Sequence, residues 1–343
     1  MNRLLAWRKE PGVRVAGSRG LDRFKVQAPG VVALPCGGYR LFYTAVGPDK
    51  PFADCQGCIL SAVSADGLIF EVEPGIRVAP DPGRPDLSLR ALAPSVTPID
   101  GGWRMYFEGR GPADRPTVIA SAVSADLLRW QVEPGLRVAG SERCGAPRFL
   151  PLGGSSCGAG AGRLFHFRAD DGPPRRSAVY SAITEDGLSF TPEEGVRMSS
   201  RTGELDSSGI TAAEVTAPEE TGASWVMIYS AWQDVPPGTE VPLHPSHDPD
   251  AVASGRSADF AAASIAVDLC GYRSRILAAT SADGARFGPG SVVVEGGGHD
   301  SGDVDAVHAE DMALVRLADS RWRMYYAACD AAGNWQIASA ISA

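Results

Sequence analysis

Three kinds of chemically capable side chain recur in this 343-residue chain. Carboxyl groups lie in short apolar segments, with Glu214 in AAEV, Asp311 in VHAED and Glu108 after WRMYF. A carboxylic acid near a carboxylate can deliver and withdraw protons if their surroundings hold the two pKa values apart. Histidines are the second kind: His244 and His247 in HPSHDPD, then His299 and His308. Imidazole with aspartate suits Zn, Fe or Mn, so a divalent cation (one of these, or Ca) is the cofactor such a cluster would take. Arginines are the third, with Arg23, Arg90, Arg110, Arg148 and Arg168 able to clamp a carboxylate or phosphate through two parallel hydrogen bonds.

These residues are far apart in sequence, so a repeated scaffold must gather them. Four segments match over about twenty residues: ILSAVSADGLIFEVEPGIRVAP, IASAVSADLLRWQVEPGLRVAG, VYSAITEDGLSFTPEEGVRMSS and ILAATSADGARFGPGSVVVEGG. Their aromatic markers Phe70, Trp130, Phe190 and Phe287 are 60, 60 and 97 residues apart, so the last interval carries an insertion, at about 233–272. Each match is an alternating apolar run, a turn and a second short run, which predicts a hairpin. Two further strands precede each hairpin. The second reads YRLFYTA, WRMYFEG, RLFHFRA, WVMIYSAW and WRMYYAA. The first reads APGVVAL, APSVTPI, APRFLPL, AAEVTAP and AEDMALV.

The expected fold is all-β, a five-bladed β-propeller with four antiparallel strands, A to D, per blade. The chain ends on WQIASAISA, a C strand without its D strand, and WRKEPGVRV near the start repeats FEVEPGIRV and WQVEPGLRV. Residues 5–15 would therefore complete the fifth blade and remove its open edge, leaving one domain over 1–343. The SADG turns carry local turn chemistry, and the repeated Arg14, Arg77, Arg137 and Arg197 read as structural.

In such a ring the A strands line the channel, and the D-to-A and B-to-C loops share one face, where the units differ most. That face holds Asp22, Asp86, Glu204, Asp206, Asp300, Asp303, Asp305 and His299 on D-to-A loops, and Glu108, Arg110, Arg168, Asp170 and Trp232 at the B-to-C edge. Asp22, Asp86, Arg110, Arg148, Arg168 and Trp232 are the expected substrate contacts. Aligning the A strands puts Gly30, Ser95, Arg148, Glu214 and Asp311 at equivalent channel places. The insertion would fold over the channel mouth as a lid. Its apolar part, ADFAAASIAVDLC, reads as a strand, a helix or a contact between two copies in a homodimer.

Composition narrows the partners. A formal net charge of −9 with no basic block disfavours nucleic acid and anionic membranes. No apolar stretch has the length of a membrane span, and the N-terminus lacks signal-peptide organisation. Seven cysteines without framework spacing suggest reduced thiols and a cytoplasmic location, with Cys55 and Cys58 as loop thiols.

The repeated units, SADG turns and inner-strand carboxyls resemble the arabinanase–invertase group of five-bladed propellers, which includes glycoside hydrolase families 43 and 32. The SxDGxxF/W turns also resemble degenerate Asp boxes of sialidases, whose rings have six blades. The first resemblance implies three channel carboxylates from successive blades: a base or nucleophile, a modulating Asp and an acid Glu. Glu214 resembles that acid. Gly30 and Ser95 stand where the two Asp residues would be, so those are not carried over. His308 resembles a fifth-blade histidine that in some relatives accompanies a cation. The first expectation is thus a glycosidase-like enzyme for a small polar or acidic sugar derivative, with Glu214, Asp311 and Glu108 as acid/base groups. Arg148 would hold Glu214 ionised. A metal-assisted lyase, isomerase or hydrolase on the histidine face is a second reading, and a non-catalytic sugar-binding propeller a third.

Overall fold

A computed structural model of the chain describes residues 3–152, 160–169, 176–222, 224–245 and 257–343. His247, Asp170, Asp248 and Asp250 lie outside them. The described chain is nearly all β and of propeller type. Unit one is the antiparallel sheet Lys25–Ala33, Tyr39–Val46, Cys58–Ser64 and Glu71–Val72. Unit two is Arg90–Ile99, Gly102–Arg110, Val118–Ser124 and Gln131–Val132. Unit three is Arg143–Pro151, Gly162–Ala169 and Ser177–Thr184, followed by Thr191–Pro192 and Met198–Ser199. Units four and five share one eight-stranded sheet, joined by the single parallel pair Ser274 and His308. Unit four is Gly209–Thr216, Trp225–Gln233, Arg273–Ser281 and Ser291–Val294. Unit five is His308–Arg316, Trp322–Cys329 and Trp335–Ser342, with Trp7–Ala16 antiparallel to its last strand, Trp7 opposite Ser342.

The outer strands of the first three units are short because their EPG/EEG–Arg segment turns back on itself. Arg77 donates to the carbonyl of Pro74 at 2.7 Å and to that of Leu128, in the next unit, at 3.0 Å. Arg137 reaches Leu188 in the same way at 2.8 Å, and Arg14 reaches Leu68 at 2.8 Å. The glutamates of these segments bind an arginine on the second strand: Arg40 with Glu73, Arg104 with Glu133, Arg163 with Glu193 and Arg323 with Glu10. Arg323 and Tyr325 also donate to Asp66 and Gly67, at 3.0 and 2.8 Å. The contacts from Arg14, Arg323 and Tyr325 tie the last unit to the first. Exposed pairs of this kind contribute little, but these half-buried, bidentate ones hold each arginine within its own unit so that its remaining nitrogen reaches a carbonyl of the next, Arg40 to Asp126 at 3.3 Å and Arg104 to Asp186 at 3.2 Å.

The SADG turns are Asx turns. The Oδ1 of Asp66 accepts the backbone N–H groups of Leu68 and Ile69, and Asp126, Asp186 and Asp283 do the same. Those bonds hold the carboxyls of Asp66 and Asp283 down to about 2.

Every A strand breaks register at one place, and the residue there has positive φ: Ala28, Ala93, Ala146, Ala212 and Asp311, all between 45° and 50°. A left-handed alanine costs about 1 kcal/mol. Three of the five offset this by giving the backbone N–H to a side chain of the preceding unit: Ala93 to Thr44 at 2.9 Å, Ala146 to Glu108 at 3.0 Å and Asp311 to Ser230 at 2.7 Å. This corrects the expected alignment of the fifth strand. Asp311 is the counterpart of the left-handed alanines, whose conformation Asp tolerates better. The place shared by Gly30, Ser95, Arg148 and Glu214 is filled in unit five by Ala313.

Within the insertion, Ser257–Asp268 is an α-helix. Phe260, Ala261, Ser264, Val267 and Asp268 are buried, at the spacing of one helical face. On another side Ile265 packs beside Trp335 and Cys329. Among the described residues no helix is long and apolar enough to cross a membrane. The described cysteines are free thiols; Cys55 and Cys58 are buried, and burial raises both thiol pKa values.

Candidate active site

Ser264, Val267 and Asp268 of the helix Ser257–Asp268 form one wall of a cavity of about 340 Å³, against the first residues of the A strands. The first residues of the A strands set its rim. Lys25, opening the first, donates to Ser264 at 2.6 Å and to the carboxylate of Asp268, at the end of the helix. Trp335 donates to the same carboxylate at 3.0 Å. A cation at a helix C-terminus is favourable, and this one anchors the helix to unit one. His308, opening the fifth strand, is stacked on Trp335 at 5.4 Å. Its Nδ1 accepts the N–H of Ser274 at 3.2 Å, so its Nε2 carries the proton and donates to the carbonyl of Asp268 at 2.8 Å. Burial lowers its pKa to about 4, which leaves the ring neutral.

The floor and walls bring together Glu108, Glu310, Asp311, Arg90, Arg110 and Trp232. Glu108 is buried, with one oxygen accepting Arg110 Nε at 2.7 Å and the other the Ala146 N–H. The approach is so close that a Cβ on Gly145 would lie 2.0 Å from Glu108 Oε2, so any side chain there would displace that carboxylate. In units one and four the counterparts of Glu108 are the hydroxyls of Thr44 and Ser230, so Glu108 does their structural work and adds a charge. Asp311 is pushed up to about 6, chiefly by burial against the pull of Arg148, with Glu108 adding repulsion and Arg110 opposing. Glu310 is raised well above the ordinary carboxyl range by burial and by Asp311 and Asp268, and among the described residues its buried Oε2 has no hydrogen-bond partner. Trp232 presents an indole braced by Tyr272 and His308, with centroids 6.3 and 5.1 Å away.

Glu214 and Arg148 are not among the described residues that line this cavity. They lie next to it on the channel axis. Arg148 donates to Met312 of unit five at 2.9 and 3.1 Å, to Pro29 of unit one at 3.4 Å and to its neighbour Pro147 at 2.9 Å, spanning the ring. Its ion pair with Glu214 is 3.2 Å long. Arg148 was expected to hold Glu214 ionised; instead burial outweighs it and Glu214 rises to about 7, because the guanidinium spends its donors on carbonyls.

The other expected contacts lie elsewhere. Asp22 is fully buried under the loop, accepting Tyr43 Oη at 3.0 Å and the N–H groups of Ser18 and Arg19 at 3.1 and 2.8 Å. Asp206 with Tyr229 and Asp305 with Tyr326 repeat the bond, which makes these aspartates supports of the loops. Asp86 is half-exposed in an ion pair with Arg115 at 3.1 Å. Arg168 stacks over Tyr180, 4.9 Å from the ring centre. Sequence reading missed Lys25, Asp268 and Glu310. The signal for Lys25 was present, since Lys25, Arg90 and His308 occupy one aligned place.

The described histidines do not gather into a metal centre. Both His308 nitrogens are committed to protein partners, His299 is exposed, and His244 lies 3.0 Å from Ser264 Oγ. Among the described residues no group of three or more His, Cys, Asp or Glu side chains could hold an ion.

No protein-family model matches the sequence, and no curated protein matches it. Solved structures do match the fold. A β-1,2-mannobiose phosphorylase from Listeria innocua in complex with β-1,2-mannobiose superposes with a TM-score of 0.68 at 12% identity, over 98% of this chain and 96% of that one. A thermostable family-43 glycoside hydrolase gives 0.61 at 11% identity, over 97% and 91%. A structure from work on the GH130 family of mannoside phosphorylases, said to contain glycoside hydrolases that target β-1,2 mannosidic linkages in Candida mannan, gives 0.67 at 16% identity, over 98% and 93%. At such identities the likeness is one of fold: this chain has the propeller architecture found in glycoside hydrolases and mannoside phosphorylases.

Proposed function

We propose that the chain is a sugar-active enzyme, a glycosidase-like single domain on a five-bladed propeller whose last blade is completed by the N-terminal strand. The observation that carries this reading is the pairing, in one cavity, of a carboxyl raised to about 6 at Asp311 with a carboxylate at Glu108 held by Arg110. Glycosidic cleavage needs one protonated and one ionised carboxyl around the bond. Asp311 would protonate the leaving-group oxygen. Glu108 would face the positive charge that develops on the sugar ring, and a water adding to the anomeric carbon would return a proton to the carboxylate left at Asp311. Glu310, raised above the ordinary carboxyl range by burial, would in its protonated form offer a hydroxyl donor, and Trp232 a flat apolar face of the kind sugar rings pack against. Glu214 would act through Arg148 as a positioning residue.

A panel of 4-nitrophenyl glycosides assayed with wild-type protein and Asp311→Asn tests this. Cleavage of at least one member, reduced about 100-fold or more in the variant, is expected. Equal activity of the two proteins, or no cleavage across the panel, would overturn it.

A further inference from the structure

Arg90 opens the inner strand of unit two, is 6% exposed and lines the cavity. Among the described residues its guanidinium makes no hydrogen bond and no ion pair. Its one ring contact is the face of Phe260 in the helix Ser257–Asp268, 5.2 Å away. The other buried arginines are all engaged: Arg14, Arg77, Arg137 and Arg197 with carbonyls, Arg104, Arg275 and Arg323 with glutamates, and Arg148 with carbonyls and Glu214. A buried cation is ordinarily paired, so a partner beyond the described residues is expected here. Burial, with Arg110 nearby, lowers Arg90 to about 9, which leaves it charged at neutral pH.

The other charges of the cavity say how much negative charge it can take. Lys25 is neutralised by Asp268 and Arg110 by Glu108. Asp311 and Glu310, both raised by burial, also line the cavity; with both protonated, the form in which Asp311 would act as the acid, one positive charge remains and balances a monoanion. A phosphate dianion would leave excess negative charge beside Glu108 and Asp268. A planar guanidinium also matches the two oxygens of a carboxylate. Resting on the glycosidase reading, we infer that Arg90 binds the carboxylate of an acidic sugar, so that the substrate class is a uronide.

Isothermal titration of the full chain with sodium D-glucuronate, sodium D-galacturonate, D-glucose, D-galactose and inorganic phosphate tests this, alongside hydrolysis of the matching 4-nitrophenyl glycosides in both anomers. At least one uronate should bind ten-fold or more tightly than its neutral counterpart. Arg90→Gln should abolish that preference and Arg90→Lys should keep part of it. If Arg90→Gln fails to fold, the wild-type preference and Arg90→Lys still decide. Neutral sugars bound as well as uronates, or phosphate bound in place of uronate, would overturn the inference. Hydrolysis of neutral glycosides with uronides refused would overturn it and leave the glycosidase reading standing. Uronate binding lost in Arg90→Gln, with no glycoside cleaved, would support Arg90 and overturn the glycosidase reading.

Discussion

Tyr43 gives its hydroxyl to the buried carboxylate of Asp22 at 3.0 Å, and unit two replaces both ends of that bond at once, with Phe107 and Leu87. The pair therefore comes in a polar and an apolar version on the same scaffold. Tyr43→Phe alone removes one of three donors to a buried charge and should cost about 2 kcal/mol. Asp22→Leu alone strands the Tyr43 hydroxyl and two loop N–H groups, and should cost more. Together the two changes should cost less than their sum by about 1 kcal/mol or more, read by urea denaturation. Strict additivity would mean that the bond does not hold the loop.

The helix Ser257–Asp268 depends on the buried pair of Lys25 and Asp268. Asp268→Asn leaves the buried Lys25 ammonium facing a neutral amide, a loss of about 3 kcal/mol. Hydrogen exchange should show lost protection over Ser257–Asp268, with the sheet of unit one unaffected. Unchanged protection there would mean that apolar packing of Phe260 and Val267 suffices to hold the helix.

Much of the scaffold was legible because local rules repeat in it. Asx turns need Asp at a fixed place, the bulges of the first three inner strands follow an Ala-Pro pair, and the outer-strand arginines and glutamates recur with their partners. The fifth inner strand was read two residues out of register because Asp311-Met312 lacks the Ala-Pro mark. The site was harder to read. Asp22 looked like a ligand contact because its partner Tyr43 is 21 residues away, and only comparison of units, with Leu87 and Phe107 changing together, exposes the pairing. Arg90 was visible as a loop arginine, but not as a cation without a partner, since that depends on which carboxylates are already taken.

Acid should weaken the Asx turns in a defined window. The carboxyls of Asp66 and Asp283 are lowered to about 2, against ~3.9 in an unfolded chain. A lowered folded pKa contributes stability that is complete above the unfolded value and disappears as pH falls from about 4 to about 2. The variant carrying Asp66→Asn and Asp283→Asn should be less stable than wild type at pH 6, and the difference should shrink through that window. A difference independent of pH would point to turn geometry rather than charge. Asp311 has the opposite sign: its folded pKa of about 6 means that its ionisation opposes folding as pH rises from about 4 to about 6.

The most direct measurement is the pH dependence of kcat/KM for whichever glycoside is cleaved, in wild type and in Asp311→Asn. With Asp311 as the proton donor, wild-type activity should fall as pH rises through about 6, following loss of that proton. Asp311→Asn should have about 100-fold or more lower activity and no such limb. A variant that keeps both the activity and the limb would contradict the assignment of Asp311 and, with it, the proposed mechanism.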